Sequence, residues 1–212
     1  MDLATRMSSL ADFGARWVLW LLFALSVIAI AIIIERAVLF FSSRDDVARL
    51  RREIRPLLDA GDERKARLRL EASPSYEARV AIAGLEGGDA KSADERMLGE
   101  RELARLQLER RLAILGTLGN NAPFIGLLGT VIGIVRAFRA LEAAQAQVSA
   151  GLMAEIGEAL IATAIGLLVA LPAVAAFNAF QRVVRARLGQ SDVLRHEVLS
   201  YLRRDVAASA AE

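Results

Sequence analysis

The chain of 212 residues contains no cysteine and one histidine. Without cysteine there is no disulfide framework, no thiolate chemistry and no Cys-based metal site. One histidine without cysteine partners does not build a zinc site. His196 lies in a charged C-terminal stretch, where a solvated helix surface is its expected place. No glycine-rich phosphate cradle precedes a basic residue, and no metal-ligand spacing is present. The sequence therefore predicts neither a cofactor nor an enzyme. A formal net charge of only +2 does not imply nucleic-acid binding.

Charge is missing from three stretches in particular. The chain is 55% hydrophobic yet 25% charged, which is reconciled if the two kinds of residue occupy separate segments. Trp17–Ile34 is 18 residues broken only by Ser26. Leu112–Val135 is 24 uncharged residues, and Ala159–Phe177 is 19 residues whose one polar side chain is Thr163. A helix crossing the hydrocarbon core needs roughly 20 apolar residues, so each stretch is long enough with modest tilt. The first is too long for the apolar core of a cleaved signal peptide and lacks a small-x-small cleavage site before Glu35-Arg36. The expected fold is an all-α membrane protein with three transmembrane helices.

Arginine and lysine set its orientation. Residues 36–111 and 181–212 carry 23 of the 27 basic residues, and the positive-inside rule places both in the cytoplasm. The expected division is then an outer N-terminus (1–16), span one (17–41), a cytoplasmic region (42–111), span two (112–138), an outer connection (139–155), span three (156–180) and a cytoplasmic tail (181–212). Trp17 and Trp20 stand at the outer end of span one, where aromatic anchors belong.

The charged region reads as helical, with Leu98, Leu103, Leu106 and Leu108 recurring at helical spacing among charges. Start signals are Ser43 with Asp46, Ser73 before Pro74, and Ser92 with Glu95; stop signals are Gly61 and Gly87-Gly88. These predict short helices near 44–59, 62–72 and 74–86, then a long helix from Ser92. Nothing breaks the chain between Ser92 and Leu112, so that helix is expected to run directly into span two. Likewise span three is expected to extend unbroken past Leu188.

Span two is unusual for a lipid-facing anchor. Gly119, Pro123, Gly126, Thr130, Gly133 and Ala137 form one stripe of small residues, with Gly129 nearby. Span three carries a matching stripe through Ala159, Thr163, Gly166, Ala170, Ala173 and Phe177. Small residues let helix backbones approach where lipid offers no hydrophobic drive, so tight packing alone explains the glycines. The hydroxyls add something else. Thr130 lies six residues before Arg136 and Thr163 five after Glu158, which at ~1.5 Å per residue puts both about 8–9 Å inside the outer boundary. Each threonine alone reads as a bond to its own preceding carbonyl; at matched depth on two stripes they read as an ion pathway. Glu158 opens span three, either pointing into a bundle or capping a helix N-terminus, while Glu155 reads as solvated. Asn120 and Asn121, in the inner half of span two, extend a hydrated path or bond a neighbouring helix. Pro123 and Pro172 are expected to kink their helices. No Asp, Lys or His lies in mid-membrane, so the titratable group a proton relay needs at depth is expected on another polypeptide.

Ala122-Pro123-Phe124-Ile125-Gly126-Leu127-Leu128-Gly129-Thr130-Val131-Ile132-Gly133 resembles the span-two signature of the ExbB/TolQ (MotA/TolQ/ExbB) proton channel family. Glu158 through Leu167, followed by Ala170-Leu171-Pro172-Ala173 and Asn178, is similar to its span-three signature, and Glu35-Arg36 fits as well. The resemblance covers essentially the whole chain. It implies a homo-oligomer, a pentamer, around single-span ExbD/TolR-like helices that each carry a membrane aspartate. Proton flow would drive rotation, and a TonB- or TolA-like protein would carry force across the periplasm of a bacterial cell from its inner membrane. It also implies that Thr130, Thr163 and Glu158 line the pore. Three spans rather than four argue against a flagellar stator. TonB-type, Tol-type and specialised gliding or secretion motors stay open, as do H⁺ and Na⁺, and the rival reading is a passive membrane scaffold.

Overall fold

The computed structural model describes residues 16–143 and 150–209. The expected outer N-terminus up to residue 15 and the middle of the 139–155 connection lie outside the described residues. The described residues form seven helices: α1 (Arg16–Ser42), α2 (Val47–Asp59), α3 (Glu63–Glu71), α4 (Tyr76–Leu85), α5 (Ala90–Glu109), α6 (Leu112–Ala143) and α7 (Ala150–Ser209). No strand occurs among them. Three helices, α1, α6 and α7, carry windows long and apolar enough to cross a membrane. Pro123 and Pro172 both lie inside continuous helices.

The chain divides into two compact units. One comprises residues up to Glu35 together with Arg111–Asn178. Its core joins Val18 and Leu22 of α1, Ala122 of α6 and Val169 and Ala170 of α7, with Ile125, Ile132 and Ile165 packed alongside. Its outer surface is apolar: Trp20 is 71% exposed, Phe124 68% and Leu168 71%. An apolar surface on that scale is excluded from water and belongs against lipid or other helices.

The other unit comprises Arg36–Arg110 and Ala179–Glu212. Here α2 to α5 present Leu50, Ile54, Leu70, Ala78, Val80, Ala81 and Met97 to Leu194, Val198 and Leu202 of α7. The buried face of α5 is Ala93, Met97, Ala104 and Leu108. Of the four leucines expected on an apolar face, Leu108 is buried while Leu98, Leu103 and Leu106 are exposed; α4 and α5 approach closely, with Met97 Sδ against Gly84. Ion pairs stitch the surface, including Arg195–Asp94 and Arg204–Asp59 at 2.6 Å and Arg101–Asp192 at 3.1 Å.

The short helices start and stop through local bonds. Asp46, Asp62, Ser75 and Asp89 cap α2, α3, α4 and α5, their side chains accepting backbone N–H bonds two or three residues on. Three expected caps therefore move. Ser43 instead donates to Leu39 O at the end of α1 (2.7 Å), Ser73 bonds Asp45 (2.6 Å), and the backbone of Ser92 donates to Asp89 (3.3 Å). In each case an aspartate or serine closer to the true first turn competes successfully. The end of α2 shows why Gly61 is glycine. Gly61 N donates to Leu58 O (3.0 Å) and Asp62 N to Leu57 O (2.9 Å), a closure requiring the left-handed φ of 73° at Gly61.

The largest departure from expectation lies between α5 and α6. The helix does not run unbroken from Ser92 into span two: Arg110 is extended (φ −51°, ψ 132°) and Arg111 is left-handed (φ 64°). No glycine or proline marks this break. Tertiary bonds hold it instead: Arg36 Nη1 donates to Gln107 O, an orphan carbonyl of α5's last turn (3.2 Å), and the Arg111 guanidinium pairs with Glu35. A left-handed arginine costs about 1–2 kcal/mol. Arg111→Gly is therefore expected to be more stable than Arg111→Ala by about 1 kcal/mol, since both lose the ion pair but only glycine relieves φ. Thermal unfolding of the detergent-solubilised variants checks this; equal stabilities would mean that the left-handed geometry stores no strain.

Candidate functional site

The first unit brings α6 and α7 together along their small-residue stripes. A Cβ on Gly126 would stand 2.7 Å from Ala162 O and 3.0 Å from Thr163 Cα, and one on Gly166 would stand 2.7 Å from Ala122 O and 3.1 Å from Gly126 Cα. The two backbones thus touch at Gly126 and Gly166. Further along, Gly129 faces Ala162 and Val18, Gly133 faces Ala159, Gly119 faces Val174, and Gly116 receives the Phe177 ring. Ala170 is buried in the core; Pro123 is half-buried and Pro172 exposed.

Beside the crossing, Thr130 and Thr163 meet hydroxyl to hydroxyl. The Thr163 hydroxyl donates to Gly126 O (3.1 Å), and Thr130 Oγ1 lies 3.3 Å from both Gly126 O and Ala159 O. A hydroxyl has one proton and two lone pairs, so beyond the backbone N–H bonds that the two carbonyls accept within their helices, the four oxygens share only two hydroxyl protons. The surplus is acceptor capacity: the cluster can take a hydrogen bond from a carboxylic acid or water, or face a hydrated cation. Both side chains are half-buried.

Glu158 is not brought to this cluster. Five residues before Thr163, it points about 140° away around α7, at roughly 100° per residue, and its Oε1 lies 3.5 Å from Arg16 Nε. Glu155, expected to be solvated, pairs instead with Arg136 (3.5 Å), and its other carboxylate oxygen is buried without a hydrogen bond. Gly133, Arg136, Glu155 and Glu158 line one shallow cleft. Asn120 and Asn121 are exposed. Asn121 Nδ2 donates to Thr117 O (2.8 Å), and the Thr117 hydroxyl to Ala113 O (2.9 Å), while the Asn120 side-chain amide makes no hydrogen bond among the described residues.

The second unit holds polar residues that sequence reasoning missed. Arg187 is buried, its Nη1 donating to Ser43 Oγ and its Nη2 to Phe40 O, both at 2.8 Å, with its guanidinium over the Phe40 ring. Glu77, also buried, lies 4.0 Å away. Burial pushes the Glu77 carboxyl up from its ordinary value and Arg187 pulls it back. One signal was available: Val184, Arg187, Ser191, Leu194 and Val198 recur every three or four residues, so Arg187 occupies a position in an apolar stripe. His196, by contrast, is exposed and donates from Nδ1 to Asp192 O (2.6 Å), in keeping with a helix-surface residue.

Three long apolar helices, two of them in backbone contact, define a multi-pass membrane protein. Residues 72–192 match the MotA/TolQ/ExbB proton channel family, and the chain belongs to that family. It is 31% identical to the biopolymer transport protein ExbB of Salmonella typhimurium over 214 aligned positions, covering 95% of this chain and 86% of that protein. It is 34% identical to ExbB of Xanthomonas campestris over 139 residues (63% and 55%) and 42% identical to the Tol-Pal system protein TolQ of Pseudomonas aeruginosa over 103 (49% and 45%). The chain spans about half the length of these last two relatives.

Proposed function

We propose that this chain is the membrane housing of an inner-membrane motor that couples the proton-motive force to mechanical work on a periplasm-spanning partner. The observation that carries this reading is the oxygen cluster at Thr130 and Thr163, set on a small-residue crossing in spans with no titratable group at depth. Hydroxyls and carbonyls stabilise a proton in transit but do not carry it. An ExbD/TolR-like single-span helix with a membrane aspartate supplies that carrier, and a TonB- or TolA-like protein receives the force. Several copies, five by the family resemblance, surround the partner helices, with the N-terminus periplasmic and the C-terminus cytoplasmic. Glu158, Asn120 and Asn121 extend the path outward and inward, Glu158 by exchanging Arg16 for water or for the partner's carboxyl in its protonated form. Glycines 119, 126, 129, 133 and 166 and Ala170 keep the wall thin enough for the hydroxyls to reach the lumen.

The rival reading is a passive scaffold in which the threonines only clip α6 to α7, and it is favoured by the bonds they already make. Thr163→Val keeps the shape and removes the hydroxyl. With the partner co-expressed, the expected result is at least a tenfold loss of proton-motive-force-dependent activity in Thr163→Val and Thr130→Val, with assembly intact and Thr163→Ser close to wild type. Unchanged activity in both valine variants would sink the pathway and leave the scaffold. Repeating the assay without Na⁺ separates the two candidate ions.

A further inference from the structure

The second unit contains an open groove of about 930 Å³. Its walls are Phe40, Phe41, Phe180 and Val183, and its rim carries Asp45 and Asp46. We propose that this groove receives helix α7 of a second copy of the chain, with Arg182 and Arg185 of that copy meeting Asp45 and Asp46. The inference rests on the homo-oligomer proposed above and names the surface that would build it.

Charge selects the kind of occupant. Arg187 and Glu77 at the floor face each other, and Arg187 spends its other donors on Ser43 and Phe40. The rim then holds one cation, Arg44, against two carboxylates. Asp45 is kept ionised by the hydrogen bond it accepts from Ser73, which holds its carboxyl below the ordinary range. An apolar slot with a net negative rim suits a segment with long aliphatic stems and cationic heads, not a phosphate. Arginine fits: the stem packs on apolar surface and the guanidinium reaches out to a carboxylate or stacks on a ring.

Position then selects the source. Arg182 and Arg185 are exposed, and among the described residues neither makes an ion pair or a hydrogen bond. At about 100° per residue, Arg185 lies roughly 200° around α7 from Val183. One helix thus carries a groove wall on one side and a free guanidinium on the other. That is the requirement for a heterologous contact, the kind that closes into a ring. A ring whose axis follows the membrane normal also keeps every residue at its own level. Arg182 and Arg185 fall between Phe180 and Gln190, which both line the groove, so the level condition is met by the same stretch of helix.

The chain has no native cysteine, which makes the test direct. Ala48, exposed and on the groove, and Arg185 are replaced together as Ala48→Cys/Arg185→Cys in the full chain, co-expressed with the single-span partner and treated in membranes with a short bifunctional maleimide. The expected result is a ladder of cross-linked copies in the double variant and none in either single variant. Arg182→Glu/Arg185→Glu is expected to fold normally and to raise by at least tenfold the concentration below which the oligomer dissociates on dilution. A ladder from one single-cysteine variant overturns the proposal in favour of a face-to-face pair. Cross-linking of Ala48→Cys to the single-span partner overturns it in favour of that occupant. An oligomer by native mass that yields no ladder overturns the groove and leaves the homo-oligomer standing; a monomer by native mass overturns both.

Discussion

Replacing Gly126 by valine is expected to abolish the folded assembly, and replacing it by alanine to destabilise it by roughly 1–3 kcal/mol, the range for overpacking a close contact. A Cβ at this position meets Ala162 O, Thr163 Cα and Gly166 Cα at 2.7, 3.0 and 3.2 Å. All three are backbone atoms, so no rotamer change makes room and the two helices must separate. Separation also pulls the Thr130 and Thr163 hydroxyls apart. Gly99→Ala is the control: nothing lies within 4 Å of its Cβ, and in a helix interior alanine gains about 1 kcal/mol over glycine. Fluorescence-detected size exclusion after a heat ramp in detergent reads both variants. If Gly126→Ala survives heating as well as Gly99→Ala, the backbone contact between α6 and α7 is not what holds the first unit.

The second large effect is expected at Arg187. Arg187→Met fills the same space but leaves Glu77 buried without its cation, and removing one partner of a buried pair costs about 3–5 kcal/mol. It also orphans Phe40 O, one of the last carbonyls of α1, whose bond to Nη2 ends that helix. The loss carries a pH signature. Burial raises the Glu77 carboxyl, Asp45 nearby raises it further, and Arg187 and its own backbone N–H lower it; without Arg187 it rises again. A carboxyl raised in the folded state contributes stability that is fully present below the unfolded value and is lost as pH rises through the folded one. The penalty of Arg187→Met is therefore expected to be smallest at and below the ordinary glutamate value of 4.5, where only the lost bonds to Phe40 O and Ser43 remain, and to grow as pH rises above it. Adding Glu77→Gln is expected to flatten that slope and recover part of the stability. Thermal melts across the acid range check both; a loss that does not vary with pH would mean Glu77 and Arg187 are energetically independent.

How much of this was legible in the residues differs from feature to feature. The three apolar runs were, because twenty uncharged residues in sequence have few other uses. Gly126 and Gly166 stood out because glycine in a membrane helix signals close approach, though which glycines touch was not readable. The buried Arg187 was visible only as an anomaly in an apolar stripe. The break at Arg110–Arg111 left no trace, since two arginines after a helix-forming stretch read as more helix. Glu158 is grouped with the threonines by the family resemblance, yet a shared motif says nothing about azimuth, and five residues turn it toward Arg16.

The sequence by itself determined the membrane class, the helical nature of both halves, the family and the two small-residue stripes. These are properties of composition and of period along one chain, set by transfer free energy and by helix geometry. Only the tertiary structure decided that the two threonines share one oxygen cluster, that Arg111 is held left-handed between α5 and α6, and that Glu77 and Arg187 form a buried pair beside a groove. Those depend on which faces meet, and an azimuth is chosen by packing and hydrogen bonding between segments far apart in the chain, not by any residue's own preference.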